Sequence, residues 1–302
     1  SRNLAKDFIV CRVTTSDHRE MMWDMHRPLP IDDVDNVDNH RHGGENENLS
    51  LKIEFFTFDQ TEGMEVFWHS SAHLLGCALE TEFENCGLKL CDGPPLINRS
   101  LLSSSTPSPL QSLISGGFFY ESYLENDAKI SSDDFVRLEQ KMNAFMNKKL
   151  PFERMVVSRD FALKMFAYNR FKLDIIRSIP DGQVITLYKC GHLIDLCRGP
   201  HVPHTGFIKA FKLNKLSGAY WGGLDTNPIL QRVYGISFPS VSMLKEWEHR
   251  LEEAAKRDHR LIGKNQELFV FHEWSPGSPF FLPHGTRIFN RFLAFLRKQY
   301  EL

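Results

Sequence analysis

Two short segments constrain this chain more than anything else in it: His69-Ser70-Ser71-Ala72-His73 and Cys197-Arg198-Gly199-Pro200-His201. Each sets two titratable side chains four positions apart, and the two segments lie far apart in sequence. On a helix the first spacing puts both imidazoles on one face, a turn from each other. A fold that unites the pairs gathers three His and one Cys around a single site. Those residue types serve two chemistries: a zinc site, or a metal-free polar pocket that steers water onto an electrophile. The residues around the pairs separate the two readings better than the pairs do.

At 302 residues the chain has room for two or more domains, each with its own core. A net charge of −2 excludes a protein that is basic over its whole surface, while leaving room for local basic patches. Six cysteines are too sparse here for a disulfide framework and fit a reducing compartment. No apolar run is long enough to span a bilayer, so no membrane segment is expected. The first residues, Ser1-Arg2-Asn3-Leu4, include neither an initiator Met nor a secretory stretch and read as cut from something longer.

Phe8 to Val13 and Leu51 to Phe56 alternate as strands of a small β-rich module. Between them 35–49 is polar and aperiodic, an insertion in which His40 and His42 read as solvated rather than metal-binding. Residues 65–80 read as a helix with Leu74, Leu75, Ala78 and Leu79 on its apolar side. His69, His73 and Gly76 fall on another side, where Gly76 removes bulk beside a ligand. The serine-rich stretch 96–115, with Pro107 and Pro109, reads as a second insertion. Ser131-Ser132-Asp133-Asp134 caps a helix whose Phe135, Leu138, Met142, Phe145 and Met146 form a core stripe, with Pro151 just past its end.

Asp160 opens a further helical stretch that leads through Phe166 into Arg170-Phe171-Lys172-Leu173. Val184 to Tyr188 and Leu193 to Leu196 read as strands, and a regular strand would put Asp195 and Cys197 on one face. A long charged helix is expected from Ser240 to Glu267, burying Leu244, Trp247, Leu251, Ala254, Ala255 and Leu261. Turn-rich Pro276-Gly277-Ser278-Pro279 and Pro283-His284-Gly285 then precede a last helix from Arg287 to Leu302.

Read in order, these segments carry a resemblance. His69 to Gly76 (HSSAHLLG) and Asp195 to His201 (DLCRGPH) resemble two segments of threonyl-tRNA synthetases. Ser217-Gly218-Ala219-Tyr220-Trp221 and Leu230-Gln231-Arg232-Val233-Tyr234-Gly235 are similar to two further stretches of that family. Lys256 to Arg260 and Ser275 to Ser278 resemble its linker helix and the entry to its catalytic domain. Trp23-Asp24-Met25-His26-Arg27-Pro28-Leu29 resembles the end of its N-terminal TGS module.

The resemblance implies an α+β chain in three parts. Residues 1–59 would be part of a β-grasp, TGS-like module, and 60–238 an editing domain of antiparallel sheet with helices. Residues 239–302 would be the linker helix and the start of a truncated class II catalytic domain. The complete enzyme would charge tRNA(Thr) with threonine using ATP, Mg²⁺ and a catalytic zinc held outside this chain, as a cytoplasmic homodimer, with an organellar form left open. This chain by itself would need no cofactor and would hydrolyse seryl-tRNA(Thr). The resemblance lines the pocket with His69, His73, Cys197, His201 and Lys172, and assigns substrate contacts to Tyr120, Asp195 and Arg198. His73 and Lys172 would position water, with Lys172 acting either as a base or as an oxyanion stabiliser. Cys197 admits a nucleophilic reading and a pocket-shaping one.

Two other readings stand beside it. The editing domain of alanyl-tRNA synthetases has similar HxxxH and CxxxH pairs that hold zinc, and here His69, His73, Cys197 and His201 would be the ligands. The other is a non-catalytic tRNA-binding module. Lys148, Lys149, Arg154, Arg159, Arg170, Lys172, Lys209, Lys212 and Lys215 would meet the tRNA backbone in either case. Phe207, Phe211, Tyr220 and Trp221 would stack on the bases of its acceptor end.

Overall fold

A computed structural model of the chain describes residues 7–15, 18–29, 51–93, 95–96, 116–125 and 128–300. His40, His42 and the insertion 35–49 fall outside these residues, as does 96–115 apart from Leu96. The chain divides into two compact units, Ser1–Leu244 and Lys245–Leu302.

In the first unit, β1 (Val10–Thr14) pairs antiparallel with both β2 (Glu20–Asp24) and β3 (Lys52–Phe56). Cys11, Val13 and Trp23 are the core of this small sheet. Next comes α1 (Thr61–Glu82), longer than its sequence pattern and buried almost all the way round. The expected division into an apolar face and a histidine face is therefore incorrect. Trp68, Ser70, Ser71, His73 and Leu74 are all buried although they point in different directions. Polar groups on such a helix need partners. The Ser70 and Ser71 hydroxyls donate to the carbonyls of Val66 and Phe67, one turn back, at 2.7 and 2.9 Å.

β4 (Lys89–Leu90), β5 (Pro95–Leu96) and β6 (Gly117–Tyr123) lead into α2 (Phe135–Asn147). The expected cap at Ser131 is present: on the 3₁₀ turn that opens α2, the Asp134 carboxylate accepts the Ser131 N–H at 2.7 Å, closing a capping box. Of the α2 stripe only Leu138 and Met142 are fully buried. After β7 (Phe152–Val157), Ser158 rather than Asp160 caps α3 (Arg159–Met165). Asn169 then caps a separate α4 (Arg170–Ser178). β8 (Ile185–Cys190) and β9 (Leu193–Leu196) follow, and β10 (Ala210–Tyr220) and β11 (Ile229–Phe238) form a long hairpin.

Every strand pairing among the described residues is antiparallel. One sheet runs β10-β11-β6-β4 with β5 also on β6, and another runs β7-β8-β9. α1 is tied to the end of β11: the Trp68 indole donates to the Ser237 carbonyl at 3.1 Å, and the Ser71 and Ser237 hydroxyls lie 2.7 Å apart.

The expected single helix from 240 to 267 is two helices. α5 (Val241–Lys256), which contains the boundary between the units, ends before Asp258. Asp258 caps α6 (His259–Asn265) by accepting the Arg260 N–H at 2.8 Å. Trp247 is the buried residue of α5, whereas Leu251 and Leu261 are exposed, so the expected apolar stripe is not buried. β12 (Phe269–Val270) pairs with β13 (Phe280–Phe281). The last helix, α7 (Pro283–Tyr300), starts a turn earlier than expected, with Pro283 in the first turn where its missing N–H costs nothing.

Gly63 lets the first turn of α1 press on the connection just after β3, since a β-carbon there would overlap the Thr57 carbonyl. Backbone cannot yield as a side chain can. Gly63→Ala is expected to lose about 1–3 kcal/mol. Urea denaturation should show it as a lower midpoint at unchanged slope.

Candidate functional site

Four elements converge on one pocket. α1 supplies His69 and His73, and the end of β9 with the loop after it supplies Asp195, Cys197 and His201. α4 supplies Lys172 and β6 supplies Tyr120. β9 ends at Leu196, so Asp195 and Cys197 are not successive residues on one strand face, yet both side chains are buried. Gly199 makes the bend that follows at φ +68°, and a β-carbon there would overlap the Tyr188 hydroxyl.

The ligand-capable atoms of His69, His73, Cys197 and His201 lie within 4.8 Å of one another. The Cys197 sulfur is 3.3 Å from His69 Nε2 and 3.2 Å from His201 Nε2, and it accepts the Gly199 N–H. The tautomer of His201 follows from Ser70. That hydroxyl already donates to Val66, so it accepts from His201 Nδ1, 3.1 Å away. His201 Nε2 then points a lone pair at the thiol. Phe152 stacks on the His201 ring at 4.7 Å. His73 Nδ1 is buried and has no hydrogen-bond partner among the described residues.

Burial keeps all three imidazoles neutral. The His69 pKa falls to about 3, from burial and then the neighbouring His73. That of His73 falls to about 4, from burial, with Asp195 opposing. His201 drops well below the usual range, from burial and the other two rings. Burial, and then Asp195, push the Cys197 thiol up. Cys197 is thus a thiol rather than a thiolate, which disfavours it as a nucleophile. Three neutral imidazoles and a thiol are also a donor set that a zinc ion would accept, with the thiol giving up its proton on binding.

Beside this tetrad lies a buried ion pair, Lys172 Nζ to Asp195 Oδ1 at 2.5 Å. Tyr120 donates its hydroxyl to Asp195 Oδ2, and His73 Nε2 is 3.8 Å from the same oxygen. Burial alone would pull the Lys172 pKa down, but Asp195 holds it above the usual range. Burial alone would likewise raise the Asp195 carboxyl, but Lys172, His73 and the Tyr120 hydroxyl hold it below. Lys172 therefore keeps its proton. The Tyr120 ring fills a slot between two glycines. A β-carbon would come within 2.9 Å of it at Gly76 and 2.7 Å at Gly93. Gly76 thus makes room for Tyr120, not for a ligand, as its place beside the histidines had implied. Arg198 is exposed next to Cys197.

Lys172 is buried and cannot belong to a surface basic stripe, and Trp221 packs edge-on against Phe171 at 5.1 Å. Asp24, outside the set of expected site residues, braces the loop that carries His201. Its Oδ1 accepts the His201 N–H at 2.8 Å and its Oδ2 accepts the Tyr188 hydroxyl at 2.7 Å. Its only sequence signal was membership of the Trp23–Leu29 segment.

Residues 185–234, which carry Asp195, Cys197 and His201, match the second additional domain of threonyl and alanyl tRNA synthetases. Over its whole length the chain matches the N-terminal part of threonyl-tRNA synthetases. It is 42% identical over 301 residues to the probable cytoplasmic threonine–tRNA ligase 1 of Dictyostelium discoideum, covering all of this chain and 36% of that protein. It is 42% identical to the cytoplasmic threonine–tRNA ligase 1 of Homo sapiens, covering all of this chain and 35% of that protein. It is 41% identical to the mitochondrial threonine–tRNA ligase 1 of Arabidopsis thaliana, covering 99% of this chain and 36% of that protein. The chain thus spans about a third of the length of these relatives. Among the described residues, no helix is long and apolar enough to cross a membrane.

Histidines buried neutral take up protons on unfolding, so the unfolded state binds more protons below its own pKa of about 6.5. Stability should be level above that pH and fall as pH drops from about 6.5 toward the folded values, about 4 for His73 and about 3 for His69. The slope is about 1.4 kcal/mol per pH unit for each such histidine. Denaturation curves from pH 8 to 4 should show it, and His73→Gln should remove one histidine's share. Separately, Asp195→Asn leaves the Lys172 ammonium buried without its counter-charge, an expected loss of about 3–5 kcal/mol. The double variant Asp195→Leu, Lys172→Met should recover part of it.

Proposed function

We propose that this chain hydrolyses mischarged seryl-tRNA(Thr), as the editing portion of a threonine–tRNA ligase. The observation that carries the reading is the set of neutral imidazoles beside a buried, protonated Lys172. A neutral imidazole is a base at neutral pH, and a fixed ammonium stabilises a developing oxyanion. The need is physical. Threonine and serine differ by one methyl, which a synthetic pocket can exploit for only about 1–3 kcal/mol, so a second sieve for the smaller product supplies the rest.

In this reading water donates to the unpartnered His73 Nδ1 and attacks the ester carbonyl. The ester C–O bond breaks, and the proton taken by His73 passes to the ribose oxygen of the departing tRNA. Lys172 faces the oxyanion as an ammonium, not as a base. Asp195 and Tyr120 hold Lys172 in place and contact the seryl moiety. His69 and His201 orient the ester end, Cys197 shapes the wall, and Arg198 meets the RNA backbone. We read 1–59 as part of a TGS-like β-grasp module and 60–238 as the editing domain. Residues 239–302 are then the linker helix and the start of a class II catalytic domain. Charging of tRNA(Thr), with ATP, Mg²⁺ and the catalytic zinc, belongs to the rest of a homodimeric enzyme, which we place in the cytoplasm.

A second reading is favoured by the four converging donors: His69, His73, Cys197 and His201 hold zinc, which would activate water as a Lewis acid. One assay separates the two. The chain is incubated with seryl- and threonyl-tRNA(Thr), with and without a strong chelator. The expected result is chelator-resistant cleavage of the seryl ester alone. His73→Ala should lower it by about 10²–10⁴-fold, the usual contribution of a general base. Cys197→Ala should cost far less, because a thiol at the wall breaks no bond. Loss of activity with chelator moves zinc to the front, and cleavage of neither ester by folded chain sinks the editing proposal.

A further inference from the structure

A second cavity, of about 820 Å³, opens in the first unit where the N-terminal sheet meets the segment after Pro203, and none of the tetrad residues lines it. Its floor is apolar: Ile9, Phe58 and Phe67 are buried there, with Met25 alongside. His26, Lys149, His204 and Lys209 also line it, as do two carboxylates, Asp7 and Asp59.

The basic groups are gathered by specific local structure. Lys149 follows directly on the C-cap of α2 and has φ +52°, the left-handed conformation that helix ends ordinarily give to glycine. A lysine held there is strained, and such residues persist where the surroundings impose them. Its stem lies along Gly206, where a β-carbon would come within 2.7 Å of Lys149 Cγ and 2.9 Å of His204 Nδ1. The Gly206 N–H donates to His204 Nδ1 at 3.1 Å, so a neutral ring carries its proton on Nε2 and presents a donor there. The His204 pKa is lowered by burial and then by His26, Lys149 and Lys209, with no carboxylate acting against them. Neither lysine has an ion-pair partner among the described residues. Cationic groups that repel one another around a cavity are relieved by an anion within it.

We propose that this cavity binds a nucleotide, its phosphate held by Lys149, His204 and Lys209 and its base resting on the floor made by Ile9, Phe58 and Phe67. Two ammonium groups and an N–H match the charge and acceptor count of a phosphate. The volume falls within the range of small-molecule sites, whose walls are mostly apolar with a few placed polar groups. The nucleotide is either free or one unit of a single-stranded RNA.

Lys149→Gly tests this cleanly, because glycine suits the backbone conformation and removes only the side chain. The chain would be titrated with AMP, adenosine, inorganic phosphate and a short oligoadenylate RNA. Heat of binding and the ring signals of His204 by NMR are the readouts. Expected are tighter binding of a phosphate-bearing ligand than of adenosine, a rise in the His204 pKa on binding, and weakening by about ten- to a hundredfold in Lys149→Gly. The melting temperature of that variant should be unchanged or higher. Binding of AMP identifies a free nucleotide, and binding of the RNA alone identifies a chain-borne one. Adenosine binding as tightly as AMP, His204 signals that no phosphate ligand moves, or unweakened binding by Lys149→Gly would each overturn the proposal.

Discussion

The buried ion pair between Lys172 and Asp195 is the interaction around which the first unit's interior is arranged. Taking two charges out of water costs several kcal/mol per ion, and their attraction offsets that only with good geometry and satisfied lone pairs. The structure meets both terms. Asp195 spends its second oxygen on the Tyr120 hydroxyl, and the Tyr120 ring can reach it because Gly76 and Gly93 leave a slot. One contact thus fixes α4, β9, β6 and the middle of α1 relative to one another. It also sets the electrostatics next door, since a carboxylate already neutralised by an ammonium does little to protonate His73.

The three histidines of the tetrad take their character from the same burial. An exposed pair of histidines on a helix would titrate near neutrality and act as a surface charge. Enclosed by α1, β8 and the loop after β9, they become lone-pair donors that stay uncharged across the physiological range. Ser70 shows how local sequence serves this. It is a helix-interior serine that bonds back to its own helix, and so has only an acceptor left for His201.

The HxxxH and CxxxH pairs marked in the sequence the four side chains that the structure brings together, because residue type and spacing are local properties. Lys172 and Tyr120 entered through resemblance, since nothing in their local pattern announces burial. What escaped is what depends on tertiary contact. The near-complete enclosure of α1 was hidden because a helix buried on almost every side has little amphipathic period to read. The strands β10 and β11 do not alternate cleanly between buried and exposed residues, so they carry little strand period in the sequence. The break between α5 and α6 turns on Asp258, whose capping role competes with a continuous charged pattern. Asp24 was invisible because its partners, His201 and Tyr188, are remote in sequence.

That last contact has a thermodynamic side. Asp24 ends β2 in the N-terminal sheet, yet its carboxylate holds the backbone of His201 and the hydroxyl of Tyr188, against which Gly199 bends. Sheet and pocket therefore share a free energy. Whatever orders the loop bearing Cys197 and His201 also steadies the sheet, and whatever loosens the sheet is felt at the loop by the same amount, as linkage requires. The N-terminal segment is in this sense a reporter of the pocket's occupancy, wired through one carboxylate.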